Sequence, residues 1–270
     1  MPELLSKSRL GFDCNLVLIL ISIVLVTSGF AKNNNNINLF ESIIKKDKMT
    51  IGISFDSKPF GFKDSNGQIQ GVEADLAREI AKRTLGSENR VVFKNVAPQD
   101  RINAVNSGSI DMVISTMTIS PQRNKTVDFS DPYFIAGQVI CVRKDSKIDS
   151  IDDLINKKVI VILGTTGEKN ITHFAPNALI QGYADNAEAI NAFKSGVGDA
   201  ITTDDALLQG LVMGNAGYSI LPIKLTREPY GIAFKKSRHT KSLRINVNKI
   251  IKAMNLDGSL EAIKSKWGVS

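Results

Sequence analysis

Between residues 111 and 133 the chain reads DMVISTMTISPQRNKTVDFSDPY. An apolar strand start gives way to Ser115, Thr116, Thr118, Ser120 and Arg123, residue types that bind more readily than they pack. An arginine grips a carboxylate through two parallel hydrogen bonds, and nearby hydroxyls add further ones. Arg123, Thr118 and Thr116 therefore form a candidate carboxylate site, although Arg123 taken alone is better explained by a surface ion pair with Asp128 or Asp131. A second stretch, DAITTD, ends in Thr203 and Asp204, and an aspartate is a suitable partner for an ammonium group. A third, VIVILGTTGEKN, runs a buried strand into Gly164, Thr165, Thr166 and Gly167 at a helix start. Amides and threonine hydroxyls there suit a carboxylate, or a threonine simply caps the helix; the spacing is not that of a phosphate loop. One carboxylate holder and one ammonium holder are what a free amino acid requires.

These residues stand at strand ends within a repeated unit. INAVNSGSIDMVIST (102–116) and INAFKSGVGDAITTD (190–204) share one spacing: an amphipathic helix, a Ser-Gly stop, an aspartate and a strand, with Ser115 and Thr116 matching Thr203 and Asp204. Short units of this type also recur by chance. The simplest expectation is two similar lobes with facing strand ends, the place where open α/β sheets bind ligands. Strands alternate with helices from MTIGISF onward, and VEADLAREIAKRTLG puts Val72, Leu76 and Ile80 on one helical face before stopping at Gly86. That alternation predicts an α/β fold of two lobes, each a mixed, mostly parallel sheet flanked by helices. Crossings near 133–137 and 227–231 give lobe 1 as 49–135 and 230–270, and lobe 2 as 136–229. A ligand held from both sides would close them by hinge motion.

The chain has 270 residues and is 43% hydrophobic, enough for a substantial buried core. Residues 1–31 differ from the rest: Lys7 and Arg9 precede an apolar stretch over 16–26 and small residues ending at Ala31. This is the pattern of a cleaved secretory signal peptide, with an apolar stretch too short to span a bilayer. A periplasmic location follows. Residues 32–48, with their asparagine tract, read as a flexible leader with room for one helical turn. Cys14 precedes the apolar stretch, so no lipid anchor is expected, and Cys141 is left without a disulfide partner. The net charge of +7 is scattered over the sequence, which describes a solvated surface and not a nucleic-acid site. His173 stands in no Cys/His/Asp cluster with metal spacing, no G-x-S-x-G elbow is present, and Trp267 reads as a packing residue.

PFGFKDSNGQIQGVEADLAREIAKR, DMVISTMTISPQRNKTVDFSDPYF, GTTGE, GDAITTDDALLQG, PYGIAF and DGSLEAIKSKWG together resemble the polar amino-acid solute-binding proteins of bacterial ABC importers, family 3 type, from Met49 to the C-terminus. The resemblance implies a type II periplasmic-binding-protein fold. It also implies a monomer that needs no cofactor, does no covalent chemistry and delivers a free L-amino acid to membrane ABC permease subunits. It places Arg123 on the α-carboxylate with Thr118 as companion hydroxyl, Ser115 and Thr116 just before them, Asp204 on the α-ammonium, and Thr165 and Thr166 on the second lobe's side. Arg101, in NVAPQDRINAV, resembles the position where glutamate- and aspartate-binding members hold a side-chain carboxylate, and DSKPFGF resembles that branch. Ser54 departs from it, because such members often carry a second Lys or Arg there, and Arg101 is otherwise a helix-surface residue beside Asp100. Acidic amino acids are the expected ligands, with glutamine or asparagine as the alternative. A cyclohexadienyl-dehydratase-like enzyme on the same fold, using Glu168 as acid or base, is a rival of a different class. Use as a sensor or adhesin would leave the same sequence signals as transport.

Overall fold

Parallel strands buried on both faces need near-continuous apolar sequence, and KVIVI at 158–162 supplies it. The computed structural model describes residues 38–212 and 216–269. The signal peptide expected over 1–31 lies outside the described residues. Two five-stranded sheets dominate. The first runs in the order Val91–Asn95, Met49–Ile53, Met112–Val113, Ala233–Lys235, Val127–Phe129; the second in the order Leu179–Tyr183, Lys158–Ile162, Ala200–Asp204, Gln138–Arg143, Tyr218–Ile220. In both sheets the first three strands are parallel, the fourth is antiparallel to the third, and the fifth is antiparallel to the fourth. The echo in the sequence thus becomes two sheets of one topology.

The repeated unit occupies the same place in each sheet. Helix Arg101–Ser107 stops at Gly108 (φ 78°) and leads into Met112–Val113, while helix Asn186–Lys194 stops at Ser195 and Gly196 (φ 78°) and leads into Ala200–Asp204. A left-handed glycine ends both helices because that conformation carries no Cβ penalty. The first strand is shorter than its pattern predicts. Thr116 adopts φ 37°, which breaks the extended chain just before the hydroxyl-rich segment.

The segments expected to cross lie side by side. Phe134–Ala136 pairs antiparallel with Glu228–Tyr230, and each runs directly into the antiparallel fourth strand of the following sheet. The names lobe 1 (49–135 and 230–270) and lobe 2 (136–229) keep the division expected from the sequence. Phe60, Phe134 and Tyr230 meet edge-on or tilted, with ring centroids 5.0–5.7 Å apart, and make an aromatic base beneath the crossing.

Each sheet is covered by its helices. In lobe 2, alternate residues of Gln138–Arg143 serve opposite faces: Ile140 and Val142 enter one core cluster, Val139 and Cys141 the other. In lobe 1, Met49, Ile51, Ile80 and Phe234 pack with Val247, Ile251 and Leu260 of the C-terminal helices Lys241–Leu256 and Ser259–Lys266. Trp267 donates its indole N–H to Asp75 at 2.8 Å and sits edge-on to Phe62. The flexible leader is corrected over part of its length, because Leu39–Lys46 is a helix of two turns. Asn38 caps it by accepting from the Glu41 amide at 3.0 Å, and Ile43 is fully buried. The asparagine tract beside it hid an apolar face of Leu39, Phe40 and Ile43 that seats on the lobe 1 core.

Candidate functional site

The facing strand ends enclose a small, mostly filled cleft. Arg101, Thr116, Arg123, Thr165, Thr166 and Asp204 line it, joined by Pro98, Asn186, Thr203 and Leu207. The other two candidates stand behind this surface. Ser115 is buried and contributes its carbonyl to Arg101, and the Thr118 hydroxyl faces that of Thr166 at 3.3 Å.

Arg123 forms none of the surface ion pairs weighed for it among the described residues. Its Nη1 donates to the Thr118 carbonyl at 3.0 Å and its Nη2 to the Gly164 carbonyl, in the other lobe, at 3.2 Å. Two carbonyls fix the plane of the guanidinium and leave three of its five donors. Burial lowers its proton affinity, and the negative groups Glu228 and Asp204 work against that.

Asp204 ends the wholly buried strand Ala200–Asp204 and accepts a hydrogen bond from the Tyr230 hydroxyl. Burial pushes its carboxyl up to about 7; Tyr230 opposes the shift, while the charges of Glu228 and Asp205 add to it. A ligand ammonium would restore the ionised form in a place where water does not.

Arg101 is only 3% exposed, so the helix-surface reading beside Asp100 is corrected. Its guanidinium donates to the carbonyls of Pro98 at 3.2 Å, Ser115 at 2.6 Å and Thr116 at 3.2 Å. Burial first, then the charge of Arg123, pushes its pKa down to about 10. Ser54 is not among the residues that line the cleft. It is buried, and its hydroxyl holds Asp56 in a chain that runs through Ser57 to Asn186 of the other lobe.

Thr165 turns out to be a helix cap. Its hydroxyl accepts from the Glu168 amide at 3.2 Å and donates to the Ile162 carbonyl at 2.7 Å, and the first amides of the helix Thr166–Phe174 have no intrahelical acceptor. Glu168 closes the same cap by accepting from the Gly164 amide at 2.9 Å. Thr166 donates to Glu228 at 2.8 Å. Gly164 is at φ 75°, and a Cβ there would lie 2.7 Å from the Gln99 Cα, so the two lobes approach backbone to backbone.

Several contributors escaped the sequence reading. Gln138 is fully buried, bonded to Gly167, Thr202 and Asn170, and Asn170 passes the network on to Glu228. Glu73 is also fully buried and accepts from the Thr116 amide and the Tyr133 hydroxyl. A signal existed for Glu73: with Ala77 and Ile80 it keeps the i, i+4, i+7 spacing of a buried helical face.

The pattern of the bacterial extracellular solute-binding proteins, family 3, matches residues 49–270. The chain belongs to this family. The ABC transporter glutamine-binding protein GlnH of Bacillus subtilis is 40% identical over 243 residues, 89% of this chain and 88% of its own. The glutamine-binding protein of Geobacillus stearothermophilus is 43% identical over 203 residues, covering 74% and 77% of the two chains. An ancestral arginine-binding protein solved with glutamine bound superposes with a TM-score of 0.77 at 40% identity, over 83% of this chain and 99% of that one. This family 3 member has the type II periplasmic-binding-protein fold and is a binding protein, not an enzyme. Glu168, the acid or base of the rival reading, is occupied as a cap. The acidic branch finds no support either: the two relatives above are glutamine-binding proteins, and Arg101 has committed donors to three main-chain carbonyls.

Proposed function

We propose that this chain is the extracytoplasmic amino-acid-binding component of an ABC transporter, and that its ligand is L-glutamine. In this reading Arg123 and the amides opening the helix at Thr166 take the α-carboxylate, while Thr118 steadies Thr166. Asp204 takes the α-ammonium, Thr116 and Ser115 shape the strand end, and Arg101 with Asn186 borders the side chain. The observation that carries the choice of an amide over a carboxylate is Arg101, buried and bonded to the carbonyls of Pro98, Ser115 and Thr116. An arginine satisfied in this way has less to offer a second carboxylate than one whose fork is free. The names of the two glutamine-binding relatives support the same reading. The protein acts as a monomer, exported by a signal peptide over 1–31, and hands its ligand to membrane permease subunits.

Calorimetric titration with glutamine, asparagine, glutamate, aspartate and arginine tests the assignment. Glutamine is expected to bind most tightly. Glutamate binding more tightly than glutamine at neutral pH would restore the acidic reading.

A further inference from the structure

Glu73 is a buried carboxylate with no place in the ligand scheme above. It lies in the first turn of the helix Val72–Leu85, yet it is fully buried, and it does not line the cleft. Its Oε1 accepts from the Thr116 amide and the Tyr133 hydroxyl, while its Oε2 has no hydrogen-bond partner. The Thr116 amide belongs to the same peptide unit as the Ser115 carbonyl, which accepts from Arg101 at 2.6 Å. One peptide therefore has a buried anion at its N–H end and a buried cation at its C=O end. Glu73 and Arg101 make no direct ion pair among the described residues, but Arg101 is the cation whose charge favours the ionised Glu73. Of these two, only Arg101 reaches the cleft.

We propose that Glu73 sets the charge preference of the ligand's side-chain pocket. Ionised, it balances Arg101, so the pocket presents no net charge and takes an amide. Neutral, it leaves Arg101 uncompensated, and the pocket takes a carboxylate. In a buried site such a charge is weakly screened and acts across the width of a peptide. This inference rests on the glutamine reading of the site.

The titration falls in an accessible range. Burial pushes Glu73 up to about 7, against Tyr133, the Thr116 amide and Arg101, which favour its ionised form. Tyr133 and Tyr230 are both raised well above the ordinary tyrosine value, so neither competes with it near neutrality. Arg123 acts on Arg101 from the cleft side and stays charged. Asp204 also titrates at about 7, but it faces the α-ammonium, which glutamine and glutamate share, so it changes both affinities alike.

The experiment is calorimetry with glutamine and glutamate at pH ~8 and ~6, on the wild type, Glu73→Gln, and Glu73→Gln combined with Arg101→Met. The ratio Kd(Glu)/Kd(Gln) should fall by about tenfold for wild type between the two pH values, one pKa unit being a factor of ten. In Glu73→Gln it should be low at both pH values, and removing Arg101 as well should abolish the gain for glutamate. A role confined to holding the strand end would weaken both ligands equally and leave the ratio where it was; that result overturns the proposal. Should Glu73→Gln fail to fold, the wild-type pH series decides alone. Wild type preferring glutamate even at pH ~8 would end the glutamine reading, while the change of the ratio with pH would still test Glu73.

Discussion

Asp204 is the residue where burial and ligand charge meet most directly. Its carboxyl is pushed up to about 7 because the strand end is dry, and the Tyr230 hydroxyl only partly offsets the loss of water. An α-ammonium at this site favours the ionised form, so binding below pH 7 must release a proton, and affinity should fall as the pH drops from 7. Calorimetry at pH ~6 in buffers of different ionisation enthalpy should report that proton, and an enthalpy independent of buffer would remove Asp204 from the α-ammonium site. Asp204→Asn keeps an acceptor for Tyr230 but removes the charge. A buried pair stripped of one partner costs about 3 to 5 kcal/mol, so glutamine affinity should fall by two to three orders of magnitude or more while circular dichroism stays native. Residue type singled out Arg123, the repeat Asp204 and the family resemblance Arg101, and all three line the same cleft. None of these signals foretold how their donors and acceptors are occupied. Arg101 shows why: whether a guanidinium meets a ligand or three main-chain carbonyls depends on where Pro98, Ser115 and Thr116 come to lie.

At the scale of elements, the repeated helix-stop-strand unit was legible because its spacing is fixed by geometry: a left-handed residue must end the helix, and the strand must begin in register with its parallel neighbour. Gly108 and Gly196 carry that information openly. The helix Leu39–Lys46 was not legible, since two turns beside an asparagine run offer too few apolar positions to show a period. Glu73, Gln138 and Glu228 stayed hidden for a different reason, because such residues are mostly exposed and nothing local distinguishes the buried ones. The G-T-T-G segment left two readings open, and the structure gives Thr165 the cap. Thr165→Ala should therefore lower unfolding stability by about 1 kcal/mol in chemical denaturation, the usual cost of losing a helix cap. Its effect on glutamine binding should be no larger than that, because the amides offered to the carboxylate are main-chain. A loss of affinity of several kcal/mol without loss of stability would instead make the Thr165 hydroxyl a ligand contact.

For the whole molecule, the two lobes are in contact, and side-chain hydrogen bonds besides Thr118–Thr166 and Tyr230–Asp204 join them. Asn186 donates to Ser57 at 2.9 Å, the Ala187 amide to Asp56 at 3.1 Å, and Arg123 to the Gly164 carbonyl at 3.2 Å. Asp56 thus sets a carboxylate at the first turn of the opposing helix Asn186–Lys194, where the exposed amides and the helix dipole favour negative charge. Contacts of this type exist only when the lobes meet, so they add to the apparent affinity by populating the closed form, without touching the ligand. Asp56 does not line the cleft. Asp56→Ala should consequently weaken glutamine binding by about ten- to a hundredfold, in line with roughly 1.5 to 3 kcal/mol net for a hydrogen bond to a charged group. The change should lie mainly in the dissociation rate, because encounter with the open cleft is unaffected while the closed form reopens sooner. Stopped-flow fluorescence separates the two rates, and small-angle scattering of the ligand-free variant should show a larger radius of gyration than wild type. An unchanged radius and an unchanged dissociation rate would mean that the lobes are held together by the hinge strands Phe134–Ala136 and Glu228–Tyr230 and by the ligand alone.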